Sequence, residues 1–143
     1  MIRWTHIVLH HSLTPDSQTV SWNAIRRFHM TDPAYLFTDI GYHFGVELIG
    51  DYYEVLVGRD LDQVGAHCKE QGMNKKAIAI CAIGNYDIIS PPPLLWARAL
   101  RLTHSLQTEF GIPTSQVIGH RETGAPKTCP GKLWDMAEFR KQL

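Results

Sequence analysis

The stretch Ala77-Ile78-Ala79-Ile80-Cys81-Ala82-Ile83 is apolar at every position. A strand with one wet face alternates polar and apolar residues, so an unbroken run of this length predicts a central strand covered on both faces. Covering both faces calls for helices on either side of a sheet, and the flanking segments supply them. Leu95, Ala99, Leu102, Leu106 and Phe110 recur at helical spacing from Leu94 to Phe110, with Gly111 placed as a C-cap and Pro113 just beyond. Ser21 is placed to cap a helix carrying Trp22, Ile25, Phe28 and His29, which should stop before Pro33. Leu133 to Gln142 reads as a closing helix.

The remaining apolar runs are short enough to be strands. Ile7-Val8-Leu9 leads into His10 and His11 and is followed by a polar segment with Pro15, which reads as a buried strand ending at a loop. Tyr42 to Ile49 and Tyr52 to Val57 flank Gly50-Asp51, the pattern of a hairpin. Val117-Ile118 makes a short strand into His120. The order predicts an α/β fold, a central mixed β-sheet flanked by helices, with residues 1–143 forming a single domain and no separate wall-binding module. A chain of 143 residues buries about two-thirds of its unfolded surface and needs no disulfide.

Charge excludes some partners. Lys+Arg and Asp+Glu balance at 14 each, so no basic field gathers nucleic acid or anionic lipid. No apolar run approaches the ~20 residues of a membrane span. The N-terminus MIRWTHIVLHH lacks a basic segment followed by a signal-type apolar core, so synthesis in the cytoplasm without a signal peptide is expected. A monomer is expected. The 3 cysteines, Cys68, Cys81 and Cys129, are an odd number in such a chain, which argues against a disulfide framework and leaves at least one for other chemistry.

Chemistry gathers on loops at strand ends, and GHRETGAPKTCPG from Gly119 to Gly131 puts His120, Lys127 and Cys129 into one such loop. Neighbouring side chains on a strand point to opposite faces, so at most one of His10 and His11 faces a shared centre with His120. The same parity separates Tyr42 from His43. Two histidines from two strands plus one cysteine make three protein ligands with a fourth tetrahedral position open, the arrangement of a catalytic zinc site. Read without a metal, Cys129 is a small buried hydrophobe and His120 a hydrogen-bonded core residue. There is no HExxH helix and no CxxC pair to force either reading.

Five blocks in order, LHHS at 9–12, DIGYHF at 39–44, VGRDLDQVGAH at 57–67, NKKAIAICAIGN at 74–85 and the GHRE to KTCPG stretch, resemble the type 2 N-acetylmuramoyl-L-alanine amidases. That zinc family includes phage lysozyme-type amidases and animal peptidoglycan recognition proteins. The resemblance spans Leu9 to Gly131. It implies one zinc ion per chain held by His10, His120 and Cys129 at strand ends in a surface cleft, with Tyr42 and Lys127 flanking the metal as catalytic groups. It also implies substrate contact by His67 of the VGAH block and, more weakly, by Asn74 and Arg59.

The chemistry agrees with those roles. Zinc on neutral imidazoles and a thiolate lowers the pKa of its water toward ~7 and polarises the scissile carbonyl. An ammonium such as that of Lys127 stabilises the oxyanion that develops, whereas an ordinary loop lysine is merely solvated. A phenol of pKa near ~10 is a poor base at neutral pH, so Tyr42 is assigned to orienting water or hydrogen-bonding the tetrahedral intermediate, or else to packing the sheet.

One departure sharpens the branch. Recycling enzymes of the family carry an aspartate where this chain has Cys129 and a glutamate in the strand where it has Cys81. Neither acid is present here, which points to the phage and recognition-protein branch; Cys81 reads as a core thiol. His6, His29 and His104 fall outside the matched positions and read as structural or surface residues. The expected function is endolysin-like hydrolysis of the amide between N-acetylmuramic acid and L-alanine in peptidoglycan, after release to the cell wall. The alternatives are a cytosolic amidase acting on soluble muropeptides and a non-catalytic peptidoglycan-binding protein.

Overall fold

The computed structural model describes residues 1–14 and 21–143; the polar segment expected around Pro15 lies outside the described residues. The apolar run forms β4 (Ala77–Ala82), with all of its residues buried. Its neighbours are β1 (His6–His11) on one side and β2 (Phe44–Ile49) on the other, both parallel to it. Beyond β1 lies β5 (Val117–Gly119), also parallel, and beyond β2 lies β3 (Tyr52–Val57), antiparallel through the Gly50-Asp51 hairpin. The sheet order is β3-β2-β4-β1-β5. Burial on both faces of β4 is what removes polar residues from its sequence.

Helices cover the two faces unequally. On one face α2 (Pro93–Phe110) sets Leu95, Ala99 and Leu106 against Ile7, Leu9, Ile78 and Ile80, and α3 (Met136–Lys141) adds Met136 and Phe139 beside Trp134. Truncating one of these buried aliphatics to Ala costs about 2–5 kcal/mol. On the other face α1 (Trp22–Thr31) packs Trp22 and Ile25 against Ile40, Cys81 and Ile83. The Ser21 side chain caps α1 by accepting from Ala24 N–H, and Gly111 ends α2 in the left-handed region at φ 65°. Among the described residues no helix is long and apolar enough to cross a membrane.

Two sequence-based boundaries move. The closing helix is shorter than Leu133 to Gln142, because Asp135 caps it by accepting from Glu138 N–H, while Leu133 N–H and Trp134 N–H bond back to Tyr86 and Gly131 carbonyls. The second strand begins at Phe44 rather than Tyr42. Tyr42 and His43 carbonyls are taken by Arg59 and Gly58 N–H groups outside the regular ladder, and a Cβ on Gly41 would run into the Ala66 carbonyl oxygen. Tyr42 therefore sits in an irregular approach to β2, on the α1 side.

Candidate functional site

Strand register assembles the first half of the site. His10 pairs in register with Cys81 of β4, and Leu9 with Gly119 of β5, so His10 and His120 stand level at adjacent strand ends. Side-chain alternation sends Ile7 and Leu9 to the α2 face, while Val8 and Ile118 pack on the opposite face with Cys68 and Met73. His10 follows Val8 and His120 follows Ile118 by two residues, and their rings meet at 4.7 Å between centroids. His11 takes the other parity, with its Nδ1 accepting from Tyr86 N–H at 3.1 Å.

The second half arrives on a loop that two charged side chains shape. His120–Thr123 is a 3-10 turn in which Glu122 accepts from Gly119 N–H at 2.7 Å and pairs with Arg140 at 2.8 Å. Arg121 then ties the loop from inside, donating to Thr128 O and Trp134 O, while its own N–H donates to Cys129 O. Asp87 holds the far side through Thr128 Oγ1 and Lys132 N–H, both at 2.9 Å. Folded this way, the loop lays Cys129 against β1, where its Sγ lies 3.5 Å from His10 Nδ1 and accepts from His11 backbone N–H at 3.4 Å.

One ligand atom from each of His10, His120 and Cys129 lies within 4.8 Å of the others, and all three residues are buried. Burial holds the His10 imidazole well below its usual pKa, helped by His67, His120 and Lys127. Burial likewise lowers His120, partly opposed by its contact with Glu70. Both shifts favour the neutral ring, the form that offers a lone pair to a metal. Burial pushes the Cys129 thiol up to about 12, against the pull of the His11 N–H and the Lys127 ammonium. A thiolate in this setting calls for a close cationic counter-charge.

These residues line a cavity of about 950 Å³. Tyr42 reaches it beside His10, with ring centroids 5.1 Å apart. Its phenol is pushed well above 10 by burial and by the Cys81 and Cys129 thiols, so it enters any reaction as a hydrogen-bond donor. Lys127 is exposed at the mouth, near enough for its charge to bear on His10, His120 and Cys129. Cys81 is wholly buried beneath the site, packed with Trp22 and Ile25 as a core thiol.

The three residues expected to meet substrate separate. Asn74 lines the cavity, but its Oδ1 is committed to His67 and Cys68 N–H groups at 2.7 and 2.8 Å. His67 also lines the cavity, yet both ring nitrogens are engaged, with His10 Nε2 at 2.9 Å and Ala77 O at 3.3 Å. Burial, with His43 nearby, holds its pKa down to about 3. Arg59 is absent from the cavity lining, because its guanidinium is spent on the Ile40, Val64 and Asp39 carbonyls.

Sequence reasoning missed several contributors. Arg121 stands directly after His120 in the GHRE block, and a charged residue beside a candidate ligand was the available signal. Glu70, whose carboxylate lies 3.4 Å from His120 Nε2, and Asp87 carried no such signal. His29, read as structural, does accept from Gly41 N–H, but it also forms a cavity wall with Phe28, Tyr35 and Phe37. His104 is exposed on α2, and His6 lies on β1 with its Nδ1 2.8 Å from Thr5 Oγ1.

The sequence profile of the family described as N-acetylmuramoyl-L-alanine amidase matches residues 2–132. The endolysin of Klebsiella phage KP32 is 31% identical over 141 residues, 94% of this chain and 88% of that protein. The solved N-acetylmuramoyl-L-alanine amidase LysC from Clostridium intestinale superposes with a TM-score of 0.79 over 99% of this chain and 85% of its own, and at 22% identity it shares the fold. A mutant of Drosophila PGRP-LB in complex with tracheal cytotoxin has a TM-score of 0.76 at 26% identity, over 96% of this chain and 80% of that one.

Proposed function

The chain belongs to the N-acetylmuramoyl-L-alanine amidase family, and from that premise we propose that it hydrolyses the amide joining N-acetylmuramic acid to L-alanine in peptidoglycan, using one zinc ion held by His10, His120 and Cys129. The observation that carries this reading is the convergence of two imidazoles and one thiol within 4.8 Å at the wall of a cavity that also presents Tyr42 and Lys127. The donor set fits zinc, since a group of three nitrogen and sulfur donors is what a catalytic zinc ion takes from a protein. A zinc ion bound there supplies Lewis acidity to the scissile carbonyl and brings the pKa of a water molecule to about 7.

The side chains do the rest. Lys127 places its ammonium where negative charge develops on the carbonyl oxygen, so it binds the transition state better than the ground state. Tyr42, held protonated, donates a hydrogen bond that orients the water or the reacting carbonyl. The aromatic wall of Phe28, Tyr35 and Phe37 offers apolar area for sugar or stem-peptide groups. With no net positive charge to hold an anionic wall, grip comes mainly from the cavity.

Kinship with phage endolysins supports action on the cell wall after synthesis in the cytoplasm. Kinship with a structure carrying tracheal cytotoxin supports a rival reading as a non-catalytic binder, against which the intact His10, His120 and Cys129 weigh. Metal analysis paired with mass spectrometry of digested sacculi tests the proposal: about one zinc per chain and freed stem peptides are expected. Binding without cleavage selects the rival, and cleavage of soluble fragments alone selects a muropeptide amidase.

A further inference from the structure

Both imidazoles of the proposed metal site are held from behind. His67 Nε2 faces the Ala77 carbonyl at 3.3 Å, and a carbonyl oxygen only accepts, so that nitrogen carries the His67 proton. A neutral imidazole has one N–H, which leaves His67 Nδ1 as an acceptor. Facing it at 2.9 Å is His10 Nε2, which must therefore be the donor. The proton on Nε2 leaves the His10 Nδ1 lone pair free, and Nδ1 is the nitrogen beside Cys129 Sγ at 3.5 Å. The chain of donors runs in one direction, from the ligand to the backbone of β4.

The second imidazole is treated the same way by a different group. A Glu70 carboxylate oxygen, an acceptor, lies 3.4 Å from His120 Nε2, which leaves His120 Nδ1 as the ring's free lone pair. Glu70 and His67 both belong to the segment from Gly65 to Asn74, whose shape is set by Asn74 accepting from His67 and Cys68 N–H groups. Gln71 pins it to the His120 turn by donating to Thr123 O at 2.9 Å.

We propose that His67 and Glu70 are positioning residues that fix the tautomer and orientation of His10 and His120, each presenting Nδ1 to the metal. The inference rests on the zinc site of the proposed function and moves His67 from the substrate groove to metal support. Outer partners of this kind raise ligand basicity and lock the ring, and their loss weakens metal binding by roughly 10–100-fold.

Two measurements test it. In the zinc-loaded wild-type chain, long-range ¹H–¹⁵N correlation spectra are expected to show the ring protons of His10, His67 and His120 on Nε2; a His10 proton on Nδ1 overturns the assignment without any variant. Chelator competition is expected to show zinc binding weakened roughly 10–100-fold in His67→Ala and in Glu70→Ala, and nearly restored in Glu70→Gln, whose amide oxygen still accepts. A merely structural role would instead lower the melting temperature of the metal-free variants, which should match metal-free wild type. Variant affinities within about twofold of a zinc-binding wild type overturn this inference alone. A wild-type chain that takes up no zinc overturns the proposed function and this inference with it.

Discussion

His10 Nδ1 and Cys129 Sγ lie 3.5 Å apart although 119 positions separate the two residues in the chain. Nothing covalent or local holds them together; one comes from the end of β1 and the other from a loop closed by Arg121 and Asp87. That pairing underlies the first expectation. Cys129→Ala should lose stoichiometric zinc and all measurable amidase turnover, while elemental analysis of the wild type returns about one zinc per chain. A variant that retained full zinc would remove Cys129 from the ligand set.

Removal of the metal should also be felt by the fold. At free zinc about 100-fold above Kd, linkage contributes about 2.7 kcal/mol, which for a chain of this size moves Tm by roughly 5–15 °C. Melting before and after chelation, followed by zinc repletion, measures it. An identical Tm in all three states would mean that the folded chain does not bind the ion.

Lys127→Ala separates charge stabilisation from metal binding. The ammonium is exposed and braces no part of the core, so zinc content and Tm should stay at wild-type values. Turnover should fall by about 10²–10³-fold, equivalent to roughly 2.7–4 kcal/mol of transition-state stabilisation. Single-turnover rates on purified sacculi report it, and an unchanged rate would return Lys127 to the role of a solvated loop residue.

Tyr42→Phe removes one neutral hydrogen bond and leaves the ring. A loss of about tenfold in turnover is expected, with zinc retained. Burial and the neighbouring thiols raise the phenol well above 10, so it stays protonated through the neutral range. The pH–rate profiles of variant and wild type should therefore run parallel between about pH 6 and 9. A basic limb present in the wild type and absent in the variant would show that the phenol titrates there.

Asp87 predicts an acid limb of stability. Hydrogen bonds from Lys132 N–H and Thr128 Oγ1 hold its carboxyl below its ordinary pKa. A depressed folded-state pKa stabilises the native chain fully above the unfolded value of about 4, and that contribution disappears as pH falls through the folded value. Asp87→Asn should thus lower Tm at neutral pH and lose less on acidification than wild type. Parallel Tm curves from neutral to acid pH would exclude the carboxylate as a loop anchor.

Much of the architecture was legible because it follows from local periodicity. The apolar run of β4, the helical spacing of α2 and the caps at Ser21 and Gly111 each depend on residues a few positions apart. Strand parity allowed only one of His10 and His11 to face the site, and the five motif blocks pointed to His10, which the register of β1 against β4 and β5 sets level with His120. Where the closing helix and the second strand begin was misread, because distant carbonyls of Tyr86 and amides of Gly58 and Arg59 compete for those backbones.

The chain's own order of residues determined the sheet, its covering helices and the candidate ligands, since side-chain alternation and helical pitch are properties of neighbours. Only the tertiary structure decided which groups stand behind those ligands. His67 meets His10 across 57 positions and Glu70 meets His120 across 50, through loops whose closure depends on Asn74 and Gln71 contacts. A ring nitrogen's role is set by what lies within about 3 Å of it, and a linear sequence does not carry that distance.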